Sequence, residues 1–98
     1  MIFAVRMYDS AEAPRLRQEH LAEHLAYVET IMAHIRVAGA LAGAGDSPPG
    51  SLAVLEMPDQ AALEQLMTSD PYWKNGVWER YEILPYNPVV GDWLPNAQ

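Results

Sequence analysis

The feature that most constrains the fold is a long periodic stretch over residues 15–39, which contains all three histidines. Its apolar residues recur mostly at steps of three or four, as on one face of an α-helix: Leu16, Leu21, Leu25, Val28, Met32 and Ile35. The pattern predicts a helix that packs this stripe on a sheet and ends near Val37, before Gly39. His24 lies about 100° round the helix from the middle of the stripe, so we expect it at the edge of the core face.

Strands are predicted on both sides of this helix, and a second helix follows later in the chain. The strand segments are short, apolar-rich runs at positions 2–8, 38–42, 51–57 and 77–84. Asp59 is expected to cap the second helix, whose apolar stripe is Ala62, Leu63, Leu66 and Met67. The order β-α-β-β-α-β indicates an α+β fold of the ferredoxin-like type, with two helices on one face of a four-stranded antiparallel sheet.

The composition argues against several classes of partner. The net charge of −7, with only six lysines and arginines, disfavours binding to nucleic acid or to anionic membrane surfaces. There is no cysteine, and no apolar run approaches the roughly 20 residues of a membrane helix. The N-terminal residues read as a strand rather than as a signal peptide. We therefore expect a cytoplasmic protein with a single domain over residues 1–98, including a C-terminal extension over 86–98.

A partner chain of the same kind is predicted from the sheet. The face opposite the two helices would be bare and apolar, and the same face of a second copy would cover it most simply in a two-fold homodimer. The C-terminal extension carries Val89, Val90 and Trp93 and is long enough to reach over that partner or to close a sheet edge.

Several short motifs occur together in a fixed order. They are His24-Leu25-Ala26-Tyr27-Val28-Glu29, Gly39, Gly50-Ser51, Asp70-Pro71-Tyr72, Gly76, Glu79-Arg80, and Ile83 with Pro85. Over roughly residues 1–90 this set resembles the signature of the YciI-like proteins, the YCII-related domain family. Arg17 also matches a position that is often basic in that family. Leu21 departs from it, because it stands where family members often carry the arginine of an Arg-Pro-x-His run.

The resemblance implies a dimeric α+β barrel of ferredoxin-like subunits. It also implies an active site built on a histidine and an aspartate, here His24 and Asp70. Characterised relatives act by proton transfer on small compounds, often aromatic-derived or lactones, as isomerases or lyases. The implied function is therefore a cofactor-free small-molecule enzyme. The alternatives are a non-catalytic binding or accessory module that uses the same pocket, and a purely structural partner of another protein.

His24 and Asp70 each have a structural alternative. A histidine can take and give a proton near neutral pH, but one at the rim of a core can also be held only by a hydrogen bond. An aspartate can fix the tautomer of an imidazole, but Asp followed by Pro is also typical of a capped helical turn. The topology runs the two helices roughly parallel, so a direct bond between these side chains is left open.

Three further residues are candidates for substrate binding. Arg17 lies two turns before His24 and could hold a substrate carboxylate, although it could equally be an ordinary surface arginine. Ser51 opens a strand and could contact a ligand. Tyr72 could line an apolar pocket, as could Trp73 and Trp78, but aromatic residues are more often core or interface, which we favour for Trp78.

Metals and nucleotide cofactors are not expected. The segment 20–24 fits the H-x-x-E-H zinc motif, in which two histidines one helical turn apart bind one metal. That protease chemistry needs a third ligand and a larger scaffold, so we interpret His20 and Glu23 as solvated residues on an exposed face. The chain contains neither a G-x-G-x-x-G motif nor a P-loop.

Overall fold

A computed structural model of the chain describes residues 1–93. The elements follow in the order β1 (Ile2–Asp9), α1 (Ala13–Glu19), α2 (Leu21–Ile31), β2 (Ile35–Leu41), β3 (Gly50–Glu56), α3 (Gln60–Thr68), α4 (Pro71–Lys74) and β4 (Trp78–Pro85). The strands form one antiparallel sheet in the order β2-β3-β1-β4, which confirms the predicted ferredoxin-like α+β fold. Among the described residues, no helix has the length and apolar character needed to cross a membrane. Positions 94–98 of the predicted extension lie outside the described residues.

The long N-terminal helix differs from its prediction in the middle and at the end. It is broken at His20, whose backbone (φ −110°, ψ 12°) separates α1 from α2. No proline or glycine marks this break; instead, Arg17 bonds to β1 and His24 bonds to the start of α4, so separate tertiary contacts direct the two halves. The helical part ends at Ile31, followed by a 3-10 turn over Met32–His34, and not near Val37 as predicted.

Strand β2 begins earlier than the predicted position 38. Its first residues, Ile35 and Val37, are β-branched and pair with Leu55 and Val54 of β3, with a shift of register between them. In the sequence Ile35 continued the helical apolar spacing, and the helix was predicted to end near Val37. The periodicity of a short apolar run does not distinguish the end of a helix from the start of a strand, and the prediction extended the helix too far for this reason.

The core lies between the sheet and the helices. Its buried apolar residues include Phe3, Val5, Met7, Ala53, Leu55, Leu63, Met67, Tyr72, Val77 and Trp78. In helix α3, Leu63 and Met67 of the predicted stripe are buried, and Ala62 and Leu66 are partly buried. The helix is capped by Asp59, whose carboxylate accepts a hydrogen bond from the backbone N of Ala62 at 2.8 Å. Helix α2 differs, because none of its residues is buried and Leu25 is 52% exposed. Its apolar stripe therefore faces open space above the sheet.

The other face of the sheet is uncovered in the single chain, as the pattern predicted. Exposed apolar side chains on this side come from three strands: Val37, Leu52 and Leu84. The extension beyond β4 is also exposed at Tyr86, Val89, Val90 and Trp93. Trp93 borders a shallow depression over β2 and β3. We refer below to this uncovered side as the open sheet face.

Candidate active site

The central pair of the site is His24 and Asp70. Nδ1 of His24, in the first turn of α2, lies 2.8 Å from Oδ1 of Asp70. Both side chains are largely shielded from solvent, with 17% and 8% of their surface exposed. No hydrogen bond to Nε2 of His24 is made within residues 1–93. The imidazole is thus held through one nitrogen, and the other remains available to a ligand.

Asp70 is fixed from a second direction by its place in the chain. It is the N-cap of α4, and its Oδ1 also accepts a hydrogen bond from the backbone N of Tyr72 at 2.8 Å. Pro71 occupies the first helical position, where its missing N–H costs nothing. The two roles weighed for Asp70, helix cap and partner of His24, are therefore both present in the same side chain.

Two aromatic rings fix the orientation of the imidazole. Tyr72 stacks flat on His24, with ring centroids 3.8 Å apart and planes 4° apart. Trp78 meets His24 edge-on, with centroids 5.9 Å apart and planes at 89°. Such stacked and edge-on pairs stabilise aromatic groups beyond simple burial. The imidazole is therefore restrained by packing as well as by its hydrogen bond to Asp70.

The side chain of Arg17 is held by neighbouring elements. Its guanidinium donates two hydrogen bonds to the carboxylate of Asp9, at 3.1 and 2.8 Å, in a bidentate pair. The same Nη2 contacts the carbonyl of Gly50 and Oγ of Ser51, at 3.3 and 3.2 Å. The hydroxyl of Tyr72 donates to the backbone carbonyl of Arg17 at 3.1 Å. The predicted anion anchor thus already has a protein carboxylate as its partner.

A cavity of about 270 Å³ lies beside this pair, between α2 and the sheet. Its polar groups are Arg17, His24, Ser51, Asp70 and the indole of Trp78. The remaining wall is mainly apolar, with Leu25, Val28 and Ile31 from α2 facing Ile35, Ala53 and Leu55 from the sheet. Ligand sites in proteins commonly combine an apolar wall with a few convergent polar groups.

Small side chains on the sheet account for the cavity. The residues of β2 and β3 that pair below α2 are Ala38 with Ala53 and Ala40 with Ser51. All four line the cavity, and none of them reaches far from the sheet. Larger residues at these positions would fill the space and bury the apolar stripe of α2. The small residues of the sheet therefore explain both the cavity and the exposure of the apolar stripe of α2.

A β-bulge directs Trp78 into the site. Tyr8 pairs with Arg80, whereas the next residue, Asp9, pairs with Trp78, so Glu79 is the extra residue on β4. In a regular strand without the bulge, Glu79 would pair with Asp9, and Trp78 would lie on the open sheet face together with Arg80. The bulge turns the indole to the helix side, where it is 5% exposed and lines the cavity.

Comparison with known proteins shows the family and the fold of the chain. A model of the YCII-related domain family matches residues 1–87. The chain belongs to the YCII-related domain family. No protein of curated description matches the sequence. Among solved structures, the fold is similar to that of 5-chloro-2-hydroxyhydroquinone dehydrochlorinase (TftG) from Burkholderia phenoliruptrix AC1100, in complex with 2,5-dihydroxybenzoquinone. The TM-score is 0.79 at 26% identity, covering 89% of this chain and 94% of that one.

In the structure of this YCII-related domain, four of the five predicted site residues line the cavity and the fifth does not. His24, Asp70, Arg17 and Ser51 all line one cavity. Tyr72, which we expected to contact substrate, is only 3% exposed and lies against the imidazole, outside the set of cavity-lining residues. Its place in the site is to support His24. The Asp-Pro-Tyr motif alone does not indicate whether the tyrosine contacts a substrate or packs against the histidine.

One residue of the site was missed in the sequence. Asp9 lies just beyond the strand predicted at positions 2–8, but it is the last residue of β1 and the carboxylate partner of Arg17. Trp78 was named as a possible pocket residue but was favoured as core or interface; it is part of the core and also lines the cavity. A charged residue at the end of a predicted strand, eight residues before an arginine on a helix, was the available signal for the Asp9–Arg17 pair.

The two histidines of the H-x-x-E-H segment have separate environments. His20 lies between the helices, with Nδ1 3.2 Å from the carboxylate of Glu23, whereas His24 turns to Asp70. Within residues 1–93 no group of three His, Asp or Glu side chains is arranged to hold a metal ion.

Tyrosine ionisation is disfavoured around the site. Burial raises the pKa of the Tyr72 hydroxyl, and the nearby charge of Arg17 opposes this effect. Burial also raises the pKa of Tyr27, and the negative charge of Asp70 adds to it. The Tyr27 hydroxyl donates to the carbonyl of Leu66 at 2.7 Å, which ties α2 to α3. Both phenols therefore act as neutral hydrogen-bond donors near neutral pH.

Proposed function

We propose that this YCII-related domain is an enzyme of the isomerase or lyase type, which moves a proton on a small organic compound bound beside His24. The observation that carries the proposal is the imidazole of His24, bonded to Asp70 through Nδ1 and without a hydrogen bond at Nε2 within residues 1–93. The His24 side chain forms part of the wall of a mainly apolar cavity. His24 is the general base and acid of the proposed reaction, and Asp70 is its positioning partner.

The hydrogen bond to Asp70 suits this chemistry. An ionised carboxylate can only accept hydrogen bonds, so the Nδ1 atom that contacts Asp70 must be the donor. A neutral imidazole in this position therefore carries its proton on Nδ1. The lone pair then lies on Nε2, which is the atom that takes a proton from the substrate. Asp70 stabilises the imidazolium that forms, as a carboxylate does in a catalytic triad. Proton transfer by such a positioned group typically accelerates a reaction by about 10²–10⁴-fold.

The similar dehydrochlorinase supports the reaction class. By its name, that protein removes hydrogen chloride from a chlorinated hydroquinone, and its structure holds a dihydroxybenzoquinone. An elimination of this kind takes a proton from the substrate while chloride leaves with its electron pair. His24 could serve as the base in such an elimination, or in an isomerisation that returns the proton to another atom of the substrate.

The test is turnover of 5-chloro-2-hydroxyhydroquinone, measured as chloride release, by the wild-type chain, His24→Gln and His20→Gln. Glutamine at position 24 can keep a hydrogen bond to Asp70 but cannot exchange a proton. His20 lies four residues earlier, contacts Glu23, and is the matched control. We expect His24→Gln to lose at least about 100-fold in rate and His20→Gln to match the wild type. Equal rates for His24→Gln and the wild type would contradict the proposal.

The alternative is a binding module that uses the same cavity. It predicts that 2,5-dihydroxybenzoquinone raises the unfolding temperature of the chain, because a ligand bound only to the folded state stabilises it. It also predicts no chloride release and no rate difference among the three proteins. Binding without turnover would therefore favour this alternative over the enzyme.

The open sheet face is proposed to join two copies in a homodimer. It carries exposed apolar side chains on neighbouring strands, including Leu52 and Leu84, at 43% and 59% exposure. Exposed apolar groups of this kind are typical of interfaces. Replacing Leu52 by Glu should yield monomers in light-scattering measurements of molar mass, whereas Glu29→Gln on the exposed surface of α2 should not. A wild-type chain that is monomeric at micromolar concentration would contradict the dimer.

A further inference from the structure

The indole of Trp78 carries a buried donor that the fold does not use. Its ring is 5% exposed, and Nε1 has no hydrogen-bond partner in the part of the chain that the structure describes. Tryptophan N–H groups usually find a partner when they are buried, because an unpaired buried donor destabilises the folded state. The same side chain lines the cavity beside His24. A ligand bound in this cavity could therefore supply the hydrogen-bond acceptor that the indole N–H of Trp78 lacks.

The other polar groups around Trp78 are already paired. Asp70 accepts from His24 and from the backbone of Tyr72, and the hydroxyl of Tyr72 donates to a carbonyl. Ser51 receives a hydrogen bond from Arg17. Among the described residues, two cavity-lining rings have a nitrogen without a hydrogen-bond partner: Nε2 of His24 and Nε1 of Trp78, in rings whose centroids are 5.9 Å apart. One can take a proton, and the other can donate a hydrogen bond.

The size and walls of the cavity limit the compound that can reach both nitrogens. An apolar protein cavity of about 150 Å³ can hold benzene. The cavity beside His24 measures about 270 Å³, which is enough for one six-membered ring with small substituents. Its apolar wall includes Leu25, Val28 and Leu55, which suit the faces and edges of such a ring. The volume is small for a ligand site, so larger or multi-ring compounds are not expected to enter.

We propose that Trp78 orients the substrate, through a hydrogen bond from Nε1–H to a carbonyl or hydroxyl oxygen on a small ring compound. This inference rests on the proposed function and names its substrate class. Where that oxygen is a carbonyl and His24 removes a proton from the carbon next to the carbonyl carbon, the electron pair of the broken C–H bond forms a C=C bond and the C=O π pair moves onto the oxygen. The indole N–H stabilises the negative charge that develops there, as donors in an oxyanion hole do. The β-bulge at Glu79 is the local feature that turns this donor toward the helix side.

The first test is an NMR titration of the indole N–H groups in the wild-type chain. The chain has three tryptophans, so ¹⁵N-labelled indoles give three signals, which Trp73→Phe and Trp93→Phe assign. We expect 2,5-dihydroxybenzoquinone to shift the Trp78 signal downfield, as hydrogen bonding does. p-Xylene has a ring of similar size without oxygen and should not produce that shift. A Trp78 signal that stays in place with the quinone would overturn the proposal, whether or not the compound binds.

The second test compares Trp78→Phe with Trp73→Phe. Trp73 packs edge-on against Tyr81, with centroids 5.1 Å apart, and is the matched control for loss of an indole. Trp78→Phe should weaken quinone binding about tenfold, the effect of one lost hydrogen bond, and should leave p-xylene binding unchanged. Equal weakening of both compounds would mean that Trp78 acts only by packing, which overturns its role as a donor.

The outcomes separate this inference from the proposed function. If His24→Gln keeps full turnover while the quinone still shifts the Trp78 signal, the acid–base role of His24 is wrong and the donor role of Trp78 stands. If His24→Gln loses turnover while the Trp78 signal does not move, the donor role of Trp78 is wrong and the role of His24 stands.

Discussion

Tyr72 lies flat on the imidazole of His24, with the two ring planes 4° apart and the centroids 3.8 Å apart. The backbone N of Tyr72 also donates to the carboxylate that holds this imidazole, because Asp70 caps the helix in which Tyr72 lies. A single turn of chain, residues 70–72, thus supplies both the hydrogen bond and the stacking surface for His24. The short Asp-Pro-Tyr motif and the histidine are one structural unit.

Replacing Tyr72 separates the two contributions. Tyr72→Phe keeps the stacked ring and loses the hydrogen bond to the carbonyl of Arg17, so the free energy of unfolding should fall by about 1 kcal/mol with little change in activity. Tyr72→Leu removes the stacked ring and should cost about 2–3 kcal/mol and reduce the rate. Urea unfolding and steady-state kinetics measure both effects. Activity that is equally low in the two variants would argue against orientation by stacking.

Alkaline pH should destabilise the fold. Burial raises the pKa of Tyr72, Tyr27 and Tyr81 in the folded state, so the unfolded chain loses these protons first as the pH rises. Stability should therefore be insensitive to these groups at neutral pH and fall as the pH rises through about 10. Tyr72→Phe removes one such group and should show a flatter decline in unfolding free energy. An identical decline in the wild type and this variant would contradict the raised pKa of Tyr72.

The bidentate pair of Arg17 and Asp9 is expected mainly to stabilise the folded chain. Asp9 has only 9% of its side chain exposed, and lysine cannot reproduce the two parallel hydrogen bonds of a guanidinium. Arg17→Lys should therefore lower the free energy of unfolding by about 1–3 kcal/mol. Arg15→Lys, at an exposed site on the same helix, is the control and should change it little. An Arg17→Lys variant with unchanged stability but a raised KM would instead support the substrate-anchor role.

Filling the cavity should abolish binding while keeping the fold. Ala38→Leu places a larger side chain on the helix side of β2, opposite the apolar stripe of α2. We expect affinity for 2,5-dihydroxybenzoquinone to fall at least about tenfold, because the ring and the new side chain would compete for one space. Val37→Leu, on the opposite face of the same strand, is the matched control. Undiminished quinone affinity in Ala38→Leu would place the binding site elsewhere.

The sequence predicted the fold better than it predicted the site. Element order and strand alternation gave the ferredoxin-like arrangement, because each pattern reflects burial on one face. The break at His20 and the early start of β2 were not predicted, since they depend on contacts with distant strands. The bond between His24 and Asp70 was left open for the same reason. These residues are 46 positions apart, and their distance is set by the packing of α2 on α4.

The cavity shows that the apolar periodicity of a helix does not predict what its apolar face packs against. The apolar stripe over Leu25 and Val28 predicted a buried core face, but these residues line a cavity instead. The difference arises from Ala38 and Ala53, which lie on the two strands that follow the helix and are too small to fill the space. Whether an apolar stripe meets protein or a ligand depends on the side chains opposite it.

The proposed reaction requires that Asp70 keeps the proton of neutral His24 on Nδ1 and leaves Nε2 as the basic atom. The ¹⁵N chemical shifts of the imidazole report this tautomer directly, in wild-type protein and in Asp70→Ala, at a pH where the imidazole is neutral. We expect the Nδ1–H tautomer in the wild type, its loss in Asp70→Ala, and a change at Nε2 when 2,5-dihydroxybenzoquinone is added. A wild-type His24 with its proton on Nε2 would exclude His24 as the base, because that nitrogen could not then accept a proton from a substrate.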